Sequence, residues 1–143
     1  SGLGYKRTEQ GWTVLERLLR SDGDANVRAE AANALASYGV VRAWPLLKAA
    51  FDADSAWLVR CSILSALAEQ PEIDFGWLLD LASAAIKDGD GTVRVSGAEI
   101  LGRIVRESVD QQIGEQARSL LLPLQQDGDH RVVAAALNGL QLR

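Results

Sequence analysis

The sequence predicts an all-α fold, a right-handed solenoid in which four helix pairs follow one another along the chain. The first observation is a period: a valine recurs at intervals of 32, 34 and 39 residues, as Val27, Val59, Val93 and Val132. An aspartate stands five residues before each valine and a leucine eight residues after it, as Asp22, Asp54, Asp88, Asp127 and Leu35, Leu67, Leu101, Leu140. Self-similarity at a fixed period of about 20–50 residues is typical of repeat architectures.

The second observation is the spacing of apolar residues inside one repeat. After Val27 they recur at offsets of four, seven and eight residues, as Ala31, Ala34 and Leu35. This spacing places them on one face of a helix, which we call helix B. Another apolar stretch precedes each aspartate-rich turn and predicts a helix A, so each repeat consists of a helix, a short turn and a second helix.

The expected elements form one domain over residues 1–143, with repeats at about 8–39, 43–70, 74–107 and 109–143. Helices A1, B1, A3 and B3 are expected at about 8–20, 25–38, 74–86 and 91–106, and a capping box at 108–111 opens A4. Gly39 ends B1 and Pro71 follows B2. Pro45 marks the start of A2, where a missing N–H costs nothing. Pro123 kinks or ends A4, and B4 begins near His130.

The sequence Asp-Gly-Asp occurs three times, each time in the turn between helices A and B. Its second aspartate stands where a carboxylate can cap the free N–H groups at the start of helix B, as Asp24, Asp90 and Asp129. The glycines Gly23, Gly89 and Gly128 are expected to turn the chain with positive φ. The second repeat lacks the capping aspartate, and Ser55 is expected to replace it.

The first aspartate of three turns stands six residues before an arginine, in the pairs Asp22 and Arg28, Asp54 and Arg60, Asp88 and Arg94. An ion pair between aspartate and arginine, within one repeat or between neighbouring repeats, would tie successive turns together. The last repeat has Val133 in place of the arginine, which is typical of a terminal repeat without a following neighbour.

The aspartate, the Val-Arg step, the alanine-rich helix and the leucine together resemble HEAT repeats over residues 11–143. The stretch DANVRAEAANALASYG, at residues 24–39, is most similar to the variant found in phycobilisome-lyase-type proteins. The resemblance implies a ladder of aspartates and arginines along the stack, and B helices that line a concave binding face. The candidate binding residues on that face are Glu30, Asn33, Ser62, Ser65, Ser96, Glu99, Arg103 and Asn138.

The four tryptophans fall into two groups. Trp12, Trp44 and Trp77 share one repeat position and are expected to pack between A helices. Trp57 lies outside this pattern, in the predicted loop before Val59. A tryptophan exposed on a loop can anchor a partner protein, and a ring folded over the core is the alternative.

Several kinds of site are excluded by residue type. The middle Asp-Gly-Asp turn is not a calcium loop, because Ile86 and Gly97 occupy the first and twelfth ligand positions. Cys61 and His130 are the chain's one cysteine and one histidine, too few for a structural zinc site, and we expect no metal, cofactor or catalytic centre. The net charge of −4 argues against nucleic acid, and no apolar run approaches the roughly 20 residues that cross a membrane.

The sequence therefore predicts a non-catalytic scaffold or adaptor that binds another protein through the helix-B face. The alternative that the resemblance implies is a phycobilin lyase subunit, or a phycobilisome-associated factor that handles a bilin-bearing protein. We expect a monomer in the cytoplasm, since a single cysteine forms no internal disulfide. The opening Ser1 and Gly2 are typical of a cloning remnant, with the native start expected upstream.

Overall fold

The structure is a computed structural model that describes residues 7–141, so the predicted cloning remnant lies outside it. Within these residues there is no strand, and eight α-helices are arranged as four sequential pairs, which confirms the predicted all-α class. They are α1 (Glu9–Ser21), α2 (Ala25–Ala36), α3 (Val40–Ala53), α4 (Trp57–Ala68), α5 (Phe75–Ala85), α6 (Gly91–Glu107), α7 (Gln111–Leu121) and α8 (His130–Gln141).

The helices divide into two compact units, Ser1–Ile73 and Asp74–Arg143. In the first unit, α1 packs on α2, α3 packs on α4, and the two B helices α2 and α4 pack side by side. In the second unit, α5 and α7 both pack on α6, and the two B helices α6 and α8 pack side by side. Each helix pair therefore buries its apolar face partly against the pair next to it.

The repeat positions that the period predicted form the core. Val59, Val93 and Val132 are fully buried, and so are the repeat leucines Leu35, Leu67 and Leu101. The two exceptions are at the ends of the repeat series, where Val27 and Leu140 are half-buried. The polar residues of each helix lie on the side away from these buried positions, where they form the exposed surface.

The Asp-Gly-Asp turns close in a different way from the one predicted. Among residues 7–141 only Gly39 has a positive φ, of 120°, so the prediction for Gly23, Gly89 and Gly128 was wrong. Instead, the first aspartate of each turn accepts a hydrogen bond from the N–H two residues on, at 2.8–2.9 Å, in all four repeats. This side-chain turn reverses the chain without left-handed backbone, so glycine is not required for its conformational freedom.

The caps of the B helices are aspartates wherever the sequence supplies one. Asp24, Asp90 and Asp129 each accept the N–H two residues on, at 2.8–2.9 Å. Ser55 is not the cap of α4, which begins at Trp57 with Ala56 as the N-cap and no side-chain hydrogen bond. The reason is that Asp54 already binds the Ala56 N–H, which fixes the turn and leaves Ser55 one residue too early.

Two A helices begin elsewhere than predicted. The capping box at residues 108–111 was wrong, because Asp110 caps α7 by accepting from the N–H groups of Gln112 and Ile113. Helix α3 begins at Val40, directly after Gly39, so Pro45 lies inside the helix and not at its start. Pro123 ends α7 as predicted: the chain continues from Leu121 into a 3-10 turn at Leu122–Gln126.

Candidate functional site

The aspartate of the second repeat binds the arginine of the first. Arg28 donates from Nε to Asp54 Oδ2 at 2.9 Å and from Nη2 to Asp54 Oδ1 at 3.1 Å. Its Nη1 donates to the main-chain carbonyl of Asp22 at 2.8 Å. The side chains of Arg28 and Asp54 are only 16% and 9% exposed, so this bidentate pair joins the two turns of the first unit in a largely dry setting.

The second unit repeats this geometry. Arg94 donates to the two carboxylate oxygens of Asp127 at 3.0 and 3.1 Å, and to the main-chain carbonyl of Asp88 at 2.9 Å. The sequence reasoning left Asp127 out of the ladder, because no arginine follows it six residues later. The signal that could have included it is its place five residues before Val132, shared with the other repeat aspartates.

These pairs run from one repeat to the next and not within a repeat. Inside a repeat the arginine contacts the aspartate's main-chain carbonyl: Arg60 donates from Nη1 to the carbonyl of Asp54 at 2.9 Å. The Asp54 carboxylate instead faces Arg28, and it also accepts the Ala56 N–H. One aspartate thus closes its own turn and binds the arginine of the neighbouring repeat.

The electrostatics follow from these contacts. Burial raises the pKa of Asp54, but the hydrogen bonds from Arg28 and the Ala56 N–H outweigh burial and leave the pKa lowered. The Arg94 guanidinium and the Asp129 N–H lower the pKa of Asp127, and Arg131 lowers the pKa of Asp129 to about 2. All three carboxylates are therefore ionised at neutral pH, as a structural ion pair requires and a general acid does not allow.

The lowered pKa values of these carboxylates predict that the protein loses stability in acid. A lowered carboxylate pKa contributes stability that is present above the ordinary value of 3.8 and is lost as pH falls through the folded value. We expect the Tm difference between the wild type and Arg94→Ala to be constant above about pH 5 and to shrink from pH 4 to pH 2. Thermal melts followed by circular dichroism measure this difference, and a difference independent of pH would contradict the assignment.

The helix-B face of the first unit holds a small polar cleft. Asn33 on α2 and Ser65 on α4 are exposed at the same repeat position, and Glu30 and Ser62 are half-buried one turn earlier. The cleft has a volume of about 440 Å³, and its polar lining residues are Asn33, Cys61, Ser62, Ser65, Glu69 and Gln70. These side chains offer hydrogen-bond donors and acceptors with a single charge, and their small size leaves the cleft open.

The helix-B face of the second unit, unlike the polar cleft of the first, is lined by arginine side chains. Glu99 and Asn138 are exposed and Ser96 is half-buried. Arg103 donates to Glu107 at 3.2 Å and lies 5.4 Å from the ring centre of Phe75, so its guanidinium is held by its own unit. A cleft of about 700 Å³ on this face is lined by Glu99, Asn138, Arg106 and Arg131 around Gly102 and Gly139. Sequence reasoning missed these two arginines, because neither lies at an offset common to the repeats.

The tryptophans lie partly as expected. Trp57 is 48% exposed, but it is the first residue of α4 and not part of a loop. Trp12 is half-buried, edge-on to Tyr38 at 5.3 Å, with the Arg42 guanidinium 4.0 Å above its ring. Arg42 belongs to α3, so the ring does contact a residue of the next A helix. Trp44 and Trp77 are half-buried.

Neither a metal site nor a membrane-spanning helix is found in the described part of the chain. No three His, Cys, Asp or Glu side chains of residues 7–141 are grouped so that they could hold an ion. None of the helices formed by these residues is both long and apolar enough to span a bilayer. The aspartates of the middle turn are engaged with the backbone, since Asp88 and Asp90 accept N–H groups of Asp90 and Thr92.

Comparison with known proteins supports the repeat assignment in the first unit. The family model described as HEAT repeats matches residues 1–68, a stretch that ends at the last residue of α4. No curated protein matches the sequence. One similar solved structure is the crystal structure of an engineered protein, with 17% identity over 93% of this chain and 79% of that chain and a TM-score of 0.43.

Residues 1–68 thus resemble HEAT repeats, and the eight helices of the described residues follow one another in sequential pairs, as in such repeats. HEAT repeats typically bind proteins and are usually non-catalytic, because stacked helix pairs present an extended surface. The matched segment includes both helices that form the small polar cleft of the first unit.

Proposed function

We propose that the chain is a non-catalytic protein-binding scaffold or adaptor, and that the B helices α2 and α4 form its principal contact surface. The observation that carries the proposal is the polar cleft between these helices, with Asn33 and Ser65 exposed at equivalent positions. The HEAT resemblance supports this choice, because the B helices of such repeats line a concave face in the family. Glu99 and Asn138 occupy the same position on the B helices of the second unit and offer a similar surface there.

The chemistry of the cleft favours a polypeptide over a small molecule. Small-molecule pockets are mostly apolar with a few polar groups, whereas this cleft is lined mainly by hydroxyl, amide and carboxylate groups. Peptide N–H and C=O groups are the natural complements of serine and asparagine side chains. The few charged groups and the net charge of −4 favour neither a phosphate backbone nor a membrane surface. We propose that the chain acts as a monomer in the cytoplasm.

Ser65→Arg tests this surface, because it places a long cation in the cleft without changing a buried residue. We expect the Tm to change little and the capture of the partner by the immobilised chain to be lost, as measured by pull-down from the source organism and mass spectrometry. Ser119→Arg, the same change at an exposed position of the A helix α7, is the matched control and should leave capture intact.

Two outcomes would redirect the proposal. Normal capture by Ser65→Arg together with loss of capture by Trp57→Ala would place the contact at the start of α4. If the captured protein is a phycobiliprotein, and mixing the chain with bilin and the bilin-free protein changes the colour, the chain belongs to the lyase-type alternative. The HEAT match does not distinguish that alternative from a scaffold, so the colour assay decides between them.

A further inference from the structure

The carboxylate of Asp22 is oriented for a cationic partner that residues 7–141 do not supply. Asp22 stands in the first repeat where Asp54 and Asp127 stand in later ones. Its Oδ1 accepts the Asp24 N–H at 2.8 Å, the same bond that orients the other two carboxylates. Asp54 and Asp127 each bind an arginine of the preceding repeat through two hydrogen bonds. Among residues 7–141, no cationic side chain forms an ion pair with Asp22.

An apolar surface accompanies this carboxylate. Val27 is half-buried, whereas Val59, the equivalent residue of the second repeat, is fully buried. Val14 on α1 is 44% exposed. Leu46, at the same repeat position on α3, lies instead in a cleft beside Leu19 and Arg20 of α1. Val14 and Val27 of the first repeat are therefore partly exposed apolar side chains on the same unit as the Asp22 carboxylate.

We propose that Val14, Asp22 and Val27 form an end surface that docks one further helix pair of the same repeat type. The second helix of that pair carries an arginine directly after its first buried valine. This arginine donates from Nε and Nη2 to the carboxylate of Asp22, as Arg28 does to Asp54, while its apolar residues cover Val14 and Val27. The proposal is independent of the cleft between α2 and α4.

A second copy of this chain, added end to end, is not the occupant. Its last repeat would meet the end surface, and that repeat has Val133 where the others have arginine. At that position a valine offers the Asp22 carboxylate neither a charge nor a hydrogen-bond donor. The occupant is therefore a helix pair that differs in sequence from this chain's last pair, and the arginine after its first buried valine is what distinguishes the two.

The test adds such a pair to the full chain. A duplicate of residues 8–39, which contains α1, α2 and Arg28, is joined directly before Thr8. We expect the Tm to rise by at least about 4 °C, and Arg28→Ala in the added copy to remove most of the rise. Asp22→Asn in the original copy should also remove it, yet change the Tm little in the chain without the added pair.

A second measurement tests the proposal even if the added helix pair is only marginally stable. The carbon chemical shift of the Asp22 carboxyl group, measured by NMR at neutral pH, should change when the pair is added and return with Arg28→Ala in the added copy. The proposal is overturned if the chemical shift of the Asp22 carboxyl carbon is unchanged by the addition. It is equally overturned if the rise in Tm survives both single substitutions.

Discussion

Arg28→Ala is expected to lower the free energy of unfolding by about 2–4 kcal/mol. The substitution removes both hydrogen bonds from the Asp54 carboxylate, which is 9% exposed, and the bond to the Asp22 carbonyl. A mostly buried carboxylate without its cation is unfavourable, because it has lost most of its hydration and water can restore only part of it. Because Asp54 also fixes the turn before α4, the loss extends to the start of that helix.

Arg20→Ala is the matched control for this prediction. Arg20 lies on α1 of the same unit and pairs with Glu16 one helical turn earlier, but its side chain is 63% exposed. An exposed pair of this kind contributes about 0.5 kcal/mol or less. Urea denaturation of both variants measures the difference, and equal losses would show that the Arg28 pair is not the buried link described here. Arg94→Ala should behave like Arg28→Ala.

The repeat period predicted the fold class because it depends on the core. The valines and leucines that recur with the period are the residues whose burial stabilises each helix pair. Their spacing in the sequence therefore shows where the helices lie. Val59, Val93 and Val132 are all fully buried for this reason. The same logic located the capping aspartates Asp24 and Asp90, since the N-terminus of a helix favours a carboxylate.

The details of the turns could not be predicted in the same way. A glycine between two aspartates is compatible with positive φ, but the side-chain turn made by the first aspartate satisfies the backbone at negative φ. Which arginine meets which aspartate depends on the distance between neighbouring turns, and one sequence does not contain that distance. Residue spacing alone therefore left pairs within a repeat and pairs between repeats equally open.

The candidate binding surface was predictable only in outline. Offsets from the repeat valine correctly placed Asn33, Ser65, Glu99 and Asn138 at exposed positions. They did not show that Arg103 is held by Glu107, or that Arg106 and Arg131 line the cleft of the second unit. Long side chains reach over neighbouring positions, so their surroundings depend on packing between helices and not on the helical period.

Close packing between α6 and α8 predicts the second large effect. Gly102 and Gly139 face each other where these helices meet: a Cβ added at Gly139 would lie 3.0 Å from the Gly102 Cα and 3.0 Å from Leu121 Cδ1. Both distances are shorter than ordinary van der Waals contact. Leu121 is fully buried and the Gly102 atom is backbone, so relief requires the two helices to move apart.

We therefore expect Gly139→Ala to destabilise the protein by about 1–3 kcal/mol, even though alanine is the better helix former by about 1 kcal/mol. Gly114→Ala on α7 is the matched control, since its added Cβ has no neighbour nearer than Ser108 Cβ at 4.0 Å. There the gain in helix propensity should stabilise the protein by about 0.4–1 kcal/mol. Urea denaturation of the two variants should give shifts of opposite sign. If both substitutions stabilised the protein, α6 and α8 would not be in close contact at Gly102 and Gly139.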